Sequence, residues 1–444
     1  MSDLVQPHFS AVAADKERRV FRRVIMRLLP VLIVAFVLNY IDRTNIGFAA
    51  LTMNRDIGLS PTQFGFGAGI LFFSYCLFEV PSNLALYRLG ARRWLARIMI
   101  TWGLLSVATI FVKGPTSFYI LRLLLGIAEA GFVPGAMFFF ATWFPVRYRS
   151  RILAWFQMAV PLASLISGPL SGAIFKLDTI GGLAGWQWIF ICEGLPAFFI
   201  GIALLFVLAD RPSEAKWLDA EEQQIVERAV SSEKRKNEVH RLGTAFRDPR
   251  VLVLAGIQFG FTLGSYAVAI WLPQILKEYQ LTNSQVGWLS SLPYLCGCIA
   301  TILWANYVDR TGARTVNLAI TCCVATVGLF VSVATHTLAA SMAGMCIALV
   351  GITSARGIFW SIPPRFLSGA GAAAGLAMIN SIGTMGGFFG PVIMGWIRSV
   401  TGSFTAGLVL MGALISVSGL LALVVRHLMK HDSSDSHLQP GAGQ

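Results

Sequence analysis

Twelve long apolar segments alternate with short polar gaps along almost the whole chain. Each segment holds about 20 mainly apolar residues, enough for a helix to cross a hydrocarbon core roughly 30 Å thick. A soluble protein could not cover so much apolar surface, which would lie in exposed patches. The pattern therefore predicts transmembrane helices at about 28–50, 62–86, 94–113, 116–143, 150–176, 186–209, 250–275, 284–307, 314–335, 337–361, 371–398 and 403–428.

The longest polar stretch, residues 210–249, divides these segments into two sets of six. It contains the charged runs AEEQQIVER and SSEKRKNEVHR, and we predict a partly helical cytoplasmic linker. The other predicted units are a cytoplasmic N-terminal arm (1–27), an N-terminal six-helix bundle (28–209) and a C-terminal six-helix bundle (250–428). The Ser-, Asp- and His-rich tail at 429–444 is predicted to be cytoplasmic and disordered.

The two sets of six share glycine, proline and arginine positions at one fixed offset of 222 residues. The matches are Arg88, Gly90 and Arg92 with Arg310, Gly312 and Arg314, and Gly168-Pro169 with Gly390-Pro391. Parallel six-helix repeats with a binding site at the midplane resemble the major facilitator transporters. The repeat therefore predicts an all-α integral membrane protein of two pseudo-symmetric bundles.

Composition and charge agree with a membrane protein. The chain is 55% hydrophobic and 13% charged, with a mean hydropathy of +0.67, whereas soluble domains carry roughly 25% charged residues. A net charge of +13 raises the question of nucleic acid. However, Lys and Arg cluster in polar gaps of one parity, as the positive-inside rule predicts for cytoplasmic loops. We therefore predict a multi-pass inner (plasma) membrane protein with both termini in the cytoplasm and no nucleic-acid partner.

Cysteine and histidine give no sign of a metal or cofactor. The seven cysteines all lie within apolar segments, at spacings that suit neither a zinc site nor a disulfide framework. His336 is at an outer helix end, and the other five histidines lie in polar segments. Carboxylates must therefore carry any proton coupling, and the proton gradient is the only energy source that we predict.

The first predicted helix carries charged residues at mid-to-outer depth, in the stretch NYIDRTNIGFA at 39–49. Ionisable residues cost about 2.5 kcal/mol or more in a bilayer, which makes them functional candidates. Asn39 and Arg43 share a helix face, whereas Asp42 points about 100° away from Arg43. We therefore expect Arg43 to be free to point at a cavity, where its planar fork suits a carboxylate. The alternative is a structural ion pair between helices.

The fourth predicted helix contains RLLLGIAEAGF at 122–132. Arg122, Gly126 and Glu129 are spaced i, i+4, i+7 and share one stripe, with Glu129 about 10 Å along the axis from Arg122. Gly126 allows a helix or a ligand to approach closely. Burial penalises the charged form of a carboxyl group, so Glu129 is a candidate for proton coupling. The alternative is a static ion pair.

The C-terminal half lacks the corresponding charges, because the same offset leads to Gly264, Ser265, Gly344 and Gly351. It offers candidates for hydrogen bonding and stacking instead: Tyr266, Trp271, Trp360 and Asn380. Packing is the alternative role for each tryptophan. We expect Glu79 and Glu193 to brace loops or helix ends, and Arg356 to act as a gate or loop contact.

Three stretches together resemble the anion:cation symporter family of the major facilitator superfamily. They are NYIDRTNIGFA, RLLLGIAEAGF with the following Pro134-Gly135, and GWQWIFICEG. The most similar members are bacterial tartrate, 4-hydroxyphenylacetate, phthalate, nicotinate and galactonate permeases. The resemblance implies a monomer that takes up organic anions together with protons.

The galactonate branch of that family suggests roles for individual residues. Asp42 and Glu129 match protonation positions, Arg43 matches the position that binds the substrate carboxylate, and Arg122 matches the partner of the acidic residue in the first helix. The substrate-pocket positions match Tyr40, Trp360 and Asn380, and Asn39 joins them as a neighbour of Arg43 on the same face.

Two departures from the family pattern matter. A pocket glutamine of the galactonate branch aligns with Val160, with Gln157 about one turn away, which favours an aromatic or smaller acid over a polyhydroxy sugar acid. The cytoplasmic motif keeps Asp309 and Arg310 in its second copy, where we expect charge-pair or gating roles. The first copy has Tyr87 in place of the acid, so we expect a weaker conformational latch there.

We predict a secondary active transporter that takes up a small organic carboxylate with protons by alternating access. A proton-independent facilitator or an exporter of organic anions is an alternative in the same class. A transporter-like nutrient receptor would usually carry a long signalling tail, and the tail here is short. A membrane enzyme would need a cluster of catalytic groups in a polar loop or a metal constellation, and the sequence contains neither.

Overall fold

The computed structural model describes residues 5–234, 248–334, 337–363 and 369–435, and these ranges are helical without any β-strand. The α-helices are α1 (Val5–Asp56), α2 (Pro61–Leu89), α3 (Ala91–Ala108), α4 (Pro115–Glu129), α5 (Phe132–Trp143), α6 (Val146–Gln157), α7 (Ala159–Ile174), α8 (Gly185–Val207), α9 (Ala220–Lys234), α10 (Pro249–Lys277), α11 (Asn283–Thr311), α12 (Arg314–Ala334), α13 (Leu338–Phe359), α14 (Gly369–Thr401) and α15 (Thr405–Asp435).

Twelve helical spans in the described residues are long and apolar enough to cross a membrane. Helices α4 and α5 together form one span, helices α6 and α7 form another, and α9 belongs to the linker. All twelve predicted segments coincide with these spans to within a few residues, except that the first is longer. The predicted all-α fold is therefore confirmed.

The predicted arm, linker and tail are more helical than expected where they are described. Helix α1 begins at Val5, so the arm continues directly into the first span. Helix α15 runs on to Asp435, and the predicted disorder is wrong for residues 429–435. The partly helical linker contains α9. Residues 235–247 of the linker and 436–444 of the tail lie outside the described residues.

The internal repeat has a counterpart in the backbone. Gly90 separates α2 from α3 with a φ of 89°, and Gly312 separates α11 from α12 with a φ of 67°. Both conformations lie in the region that favours glycine, which needs no Cβ there. The second span of each half also starts with a capping box, Ser60 with Gln63 before α2 and Thr282 with Gln285 before α11.

The two halves meet along three helix pairs: α2 with α14, α7 with α11, and α1 with α10. The closest approaches lie at the end of the bundle away from α9, which we call the opposite end; the end that carries α9 is the linker end. A methyl group at Gly65 would clash with the Pro391 carbonyl, and one at Gly168 would clash with the Gly287 carbonyl. Backbone therefore touches backbone across the seam at the opposite end.

Polar contacts tie α9 to the N-terminal half at the linker end. Arg23 Nη1 donates to both carboxylate oxygens of Glu222, at 2.5 and 2.7 Å. Lys16 pairs with Glu221. Helices α5 and α6 at this end pack mainly on their own half. The described contacts between the halves are thus concentrated at the opposite end.

Candidate functional site

The fourth span is broken directly after Glu129, where the sequence predicts one continuous helix. Ala130 is extended (φ −55°, ψ 130°) and Gly131 is left-handed (φ 88°), so α4 ends and α5 begins in a new direction. Ser82 Oγ of α2 donates to the Ala130 carbonyl oxygen at 2.5 Å and satisfies a carbonyl that the break frees. The prediction of an unbroken helix at 116–143 is wrong because Gly131 adopts a conformation that other residues avoid.

Arg43 and Glu129 form a buried ion pair in the N-terminal half. Arg43 Nε donates to Glu129 Oε2 at 2.8 Å, and Asn39 Nδ2 reaches the same oxygen at 3.3 Å. The Arg43 guanidinium lies over the Tyr75 ring, with Cζ 4.6 Å from the centroid. The helix geometry suggested that Arg43 is free, but its guanidinium is bound to a residue of another helix. The alternative of an ion pair between helices therefore describes this conformation.

This ion pair leaves polar atoms without partners. Glu129 is 0% exposed and Arg43 is 8% exposed. Within the described chain, Glu129 Oε1 and Arg43 Nη2 have no hydrogen-bond partner. Buried polar groups without partners are costly. Both partners therefore retain capacity to bind a further polar group.

Asp42 points away from Arg43, as predicted, into the interior of the N-terminal bundle. Its Oδ2 accepts a hydrogen bond from Trp102 Nε1 at 2.8 Å. Its Oδ1 accepts from Ser106 Oγ at 2.5 Å and from Asn45 Nδ2 at 3.2 Å. Three donors therefore hold the carboxylate in place.

Glu193 is a further buried carboxyl group near Asn45 and Asp42. It interacts with the Asn45 side chain and accepts a hydrogen bond from Ser171 Oγ at 3.0 Å. Its side chain is buried, and Oε2 has no partner among the described residues. The expectation that Glu193 braces a loop or helix end does not describe this position, because the carboxyl group lies among α1, α7 and α8.

Arg122 is the most isolated charge in the described part of the protein. It is 0% exposed, and all three guanidinium nitrogens lack a hydrogen-bond partner there. Asp42 and Glu129 are the carboxylates that act on it electrostatically, but neither forms an ion pair with it. The predicted pairing of Arg122 with Asp42 is thus absent in this conformation. The Gly126 position of the stripe is filled by α2, where Leu71 O and Ser74 Oγ approach closely.

A second polar group comes from the C-terminal half. Arg356 Nη2 donates to Ser265 Oγ at 3.1 Å. The Arg356 guanidinium also interacts electrostatically with the hydroxyl groups of Tyr40, Tyr266 and Tyr294. Of these, Tyr266 interacts with Arg43 as well. Arg356 therefore contacts a neighbouring helix and is not a loop contact, whereas the gating role that was the other expectation stays a prediction.

Asn380 joins the halves through Glu79. Asn380 Nδ2 of α14 donates to Glu79 Oε1 of α2 at 3.3 Å, and Glu79 lies in the electrostatic range of Arg43. Glu79 was expected to brace a helix end, whereas its buried carboxyl group lies between the two halves. The other oxygen, Oε2, has no partner within the described ranges.

The tryptophan candidates of the C-terminal half lie apart from the ion pair. Trp271 is buried in the seam, where its Nε1 donates to Pro391 O at 3.3 Å and its ring meets Phe64 edge-on. Trp360 is half-buried and packs edge-on against Phe359, with 5.4 Å between ring centroids. Val160 packs against the small apolar cluster of Tyr40, Ile41 and Ala163.

The cytoplasmic-motif residues Asp309 and Arg310 are exposed at the linker end. Asp309 lies 4.0 Å from Arg314. In the first copy, Asp210 supplies the carboxylate that Tyr87 cannot, because its Oδ1 accepts a hydrogen bond from the Arg92 amide at 2.8 Å. The sequence analysis missed Asp210, which follows α8 and is 118 residues from Arg92.

The seam beside the cluster is closed toward the opposite end. A cavity of about 10 Å³ lies there, and its lining includes Thr44, Ser167 and Tyr294. That volume holds about one water molecule. A larger solute could therefore not leave the cluster in this direction in the present conformation.

Comparison with known proteins agrees with this architecture. The family model described as Major Facilitator Superfamily matches residues 32–391 and 254–443. A protein of Agrobacterium vitis named "Putative tartrate transporter" is 45% identical over 93% of both chains. The quinolone resistance transporter of Acinetobacter baumannii is 38% identical over 93% of this chain and 96% of its own.

Among solved structures, an inward-facing bacterial homologue of the human lysosomal transporter Spinster superposes with a TM-score of 0.75. It is 15% identical, and the match covers 90% of this chain and 96% of that chain. This likeness concerns the fold. The family and its named relatives are transporters rather than enzymes, and the chain belongs to the Major Facilitator Superfamily of secondary transporters.

Proposed function

We propose that the protein takes up a small organic carboxylate together with protons by alternating access. The observation that carries this proposal is the buried ion pair between Arg43 and Glu129. Glu129 already occupies the guanidinium that a substrate carboxylate would bind, so the two compete. Protonation of Glu129 neutralises this competitor and frees Arg43. Substrate binding is therefore linked to proton binding at one arginine.

Asp42 and Arg122 supply the second part of the proposed coupling. Arg122 is a buried cation without an ion-pair partner in the described chain, and Asp42 is a nearby carboxylate with neutral hydrogen-bond donors. We propose that Asp42 is protonated with Glu129 during uptake and pairs with Arg122 after the protons leave. The pairing would then belong to a later step of the cycle than this conformation.

The remaining pocket residues orient the substrate in this proposal. Tyr40 lies next to the Arg356 guanidinium, and Asn39 already donates to Glu129. Asn380 reaches across the seam from the other half, and we propose that Trp360 contacts the substrate from the C-terminal side. Asp309 and Arg310 act in gating at the linker end. The candidate substrates are a tartrate-like acid, an aromatic acid or a sugar acid, and the name of the Agrobacterium vitis relative supports the first.

We further propose that the protein is a monomer in the inner membrane with the linker end in the cytoplasm, and that it uses no bound cofactor. The proton gradient is its energy source. Because the described seam is closed at the opposite end, this conformation would not open to the outside in that orientation.

Uptake into proteoliposomes with an imposed proton gradient tests the proposal. Glu129→Gln resembles a permanently protonated carboxyl, so it should abolish gradient-driven accumulation and keep substrate exchange without a gradient. Glu278→Gln, which changes a half-exposed carboxyl at the opposite end, is the matched control and should accumulate substrate normally. Normal accumulation by Glu129→Gln would contradict the coupling role.

An exporter or a proton-independent facilitator is the second candidate, and the name of the Acinetobacter baumannii relative favours an exporter. Two measurements separate these functions. Uptake that persists after the gradient has been collapsed indicates a facilitator. Proton-driven loss of a preloaded quinolone from the vesicles indicates an exporter.

A further inference from the structure

We propose that Arg356 binds a second carboxylate of the same substrate, so that the transported solute is a dicarboxylate. This inference rests on the proposed function, because it assigns a ligand to the second guanidinium of the same site. Arg43 comes from the N-terminal half and Arg356 from the C-terminal half. A solute with two carboxylates would therefore bind both halves at once.

Arg356 has hydroxyl groups but no carboxylate around its guanidinium in the described chain. Within the described chain no carboxylate lies in ion-pair range of it, and its neighbours are Ser265 and three tyrosine hydroxyls. Hydroxyl groups are neutral near pH 7, because a tyrosine ionises only at about pH 10. The Ser265 hydroxyl accepts a hydrogen bond from Arg356 without compensating its charge. Arg356 is half-buried in the last turn of α13. A cation within a membrane span is costly without a counter-ion, so this environment favours an anion as ligand.

Arg43, unlike Arg356, already has a counter-ion. Its charge is compensated by Glu129 at 2.8 Å. A monocarboxylate that displaces Glu129 would neutralise the charge of Arg43 in its place. The charge of Arg356 would remain without a counter-ion. Only a second negative group on the solute would neutralise both guanidinium groups.

The distance between the two arginines is bridged by residues that they share. The Tyr266 hydroxyl interacts with both guanidinium groups, and Tyr40, which interacts with Arg356, lies three residues before Arg43. The backbone places these residues at one level of the seam, because the Gly47 position of α1 meets the Ile270 carbonyl of α10, and Arg43 and Tyr266 each lie four residues earlier. Arg356 binds Ser265, the residue next to Tyr266, so one small molecule could reach both guanidinium groups. Each planar fork can bind a carboxylate through two hydrogen bonds.

Binding of matched acids to the purified full-length protein tests this inference. Tartrate and threonate differ in one carboxylate, which threonate replaces with a hydroxymethyl group; phthalate and benzoate form an aromatic pair. We expect the wild-type protein to bind the dicarboxylate of at least one pair about tenfold or more tightly than its partner. Arg356→Gln should remove this preference by weakening the dicarboxylate alone, and Arg356→Lys should restore part of it.

Two further variants make the outcomes distinguishable. Arg398→Gln is the matched control, because Arg398 belongs to the same half and is already paired with Glu278; it should keep the preference. Arg43→Gln should weaken both members of each pair. If Arg43→Gln weakens both acids and Arg356→Gln has no selective effect, the dicarboxylate inference is overturned while carboxylate binding stands. If no acid of either pair binds the wild-type protein, carboxylate binding fails and the inference fails with it.

Discussion

At the scale of single residues, the buried charges differ in what compensates them. Arg43 and Glu129 compensate each other, and Asp42 is held by three neutral donors. Arg122 has no hydrogen-bond partner in the described chain. A buried ion pair adds little net stability compared with apolar packing, and the loss of one partner is strongly destabilising. The unpaired state of Arg122 is therefore consistent with a charge that changes partner during a cycle.

Asp42→Asn tests how firmly the carboxylate is held. The substitution replaces one carboxylate oxygen by an NH₂ group, which cannot accept a hydrogen bond. This group would point at the N–H of Trp102 on one side, or at the donors of Ser106 and Asn45 on the other. We expect the free energy of unfolding to fall by about 1–3 kcal/mol, seen as a lower melting temperature in detergent. Asp309→Asn is the control, because its exposed side chain should tolerate the change. Equal melting temperatures for wild type and Asp42→Asn would contradict this account of the hydrogen bonds.

The sequence identifies Arg43, Asp42 and Glu129 as candidate residues. It does not predict which of them form pairs. The opposed directions of Asp42 and Arg43 follow from one helix alone, because 3.6 residues per turn fixes them. The pairing of Arg43 with Glu129 depends on the rotation and height of two helices 86 positions apart in the chain, which no local pattern determines. The hydrogen bond from Arg356 to Ser265 of α10 could not be predicted for the same reason.

At the scale of helices, the apolar pattern is sufficient to predict the twelve spans, because the thickness of a bilayer sets their length. It does not predict the break between α4 and α5, since Ala130 and Gly131 are as apolar as their neighbours. A local signal is present in Gly131 and Pro134, a glycine followed by a proline at the third position of the next helix. Glycines that only allow close packing look the same in a sequence, so the signal is ambiguous.

Gly131→Ala tests the importance of this break. A Cβ at a φ of 88° is strained, and here it would also meet the Ser82 side chain. We expect a loss of stability larger than the roughly 1–2 kcal/mol that the left-handed conformation alone costs, and reduced transport because Glu129 precedes the break. Gly402→Ala is the matched control, with a φ of 70° and no atom within 4 Å of the added Cβ.

Gly402→Ala isolates the cost of the conformation from that of the contact. The two melting temperatures should therefore differ, with Gly131→Ala the lower. If the two variants lose the same stability, contact with Ser82 contributes nothing to the break.

At the scale of the whole molecule, the tightest contacts between the halves lie at the opposite end. Gly168 and Gly287 bring two backbones together without side chains between them. The repeat and the linker predict two bundles and a midplane site; the twelve spans are present, and the midplane site stays a prediction. They do not predict which end is closed, because the same sequence must serve both conformations of a transporter.

Gly168→Val tests whether this seam controls access. The larger side chain should separate α7 from α11 and shift the population toward a conformation that is open at the opposite end. Thr44→Cys in a cysteine-free background reports this change, since Thr44 lines the small cavity in the seam. We expect at least several-fold faster labelling by a membrane-impermeant thiol reagent added from the opposite side. The control is Gly114→Val, which has open space around the added side chain and should leave the labelling rate unchanged. An unchanged labelling rate in Gly168→Val would show that the seam does not control access.

The attachment of α9 has a consequence for measurements of motion. Because Arg23 and Lys16 bind Glu222 and Glu221, we expect this connecting helix to move together with the first bundle. A pair of spectroscopic labels on α9 and α1 should therefore keep a constant separation through turnover. The distance between a label on α9 and one on α12 should change as the two bundles move relative to each other. Measured together, the two label pairs separate motion between the bundles from motion within the first bundle.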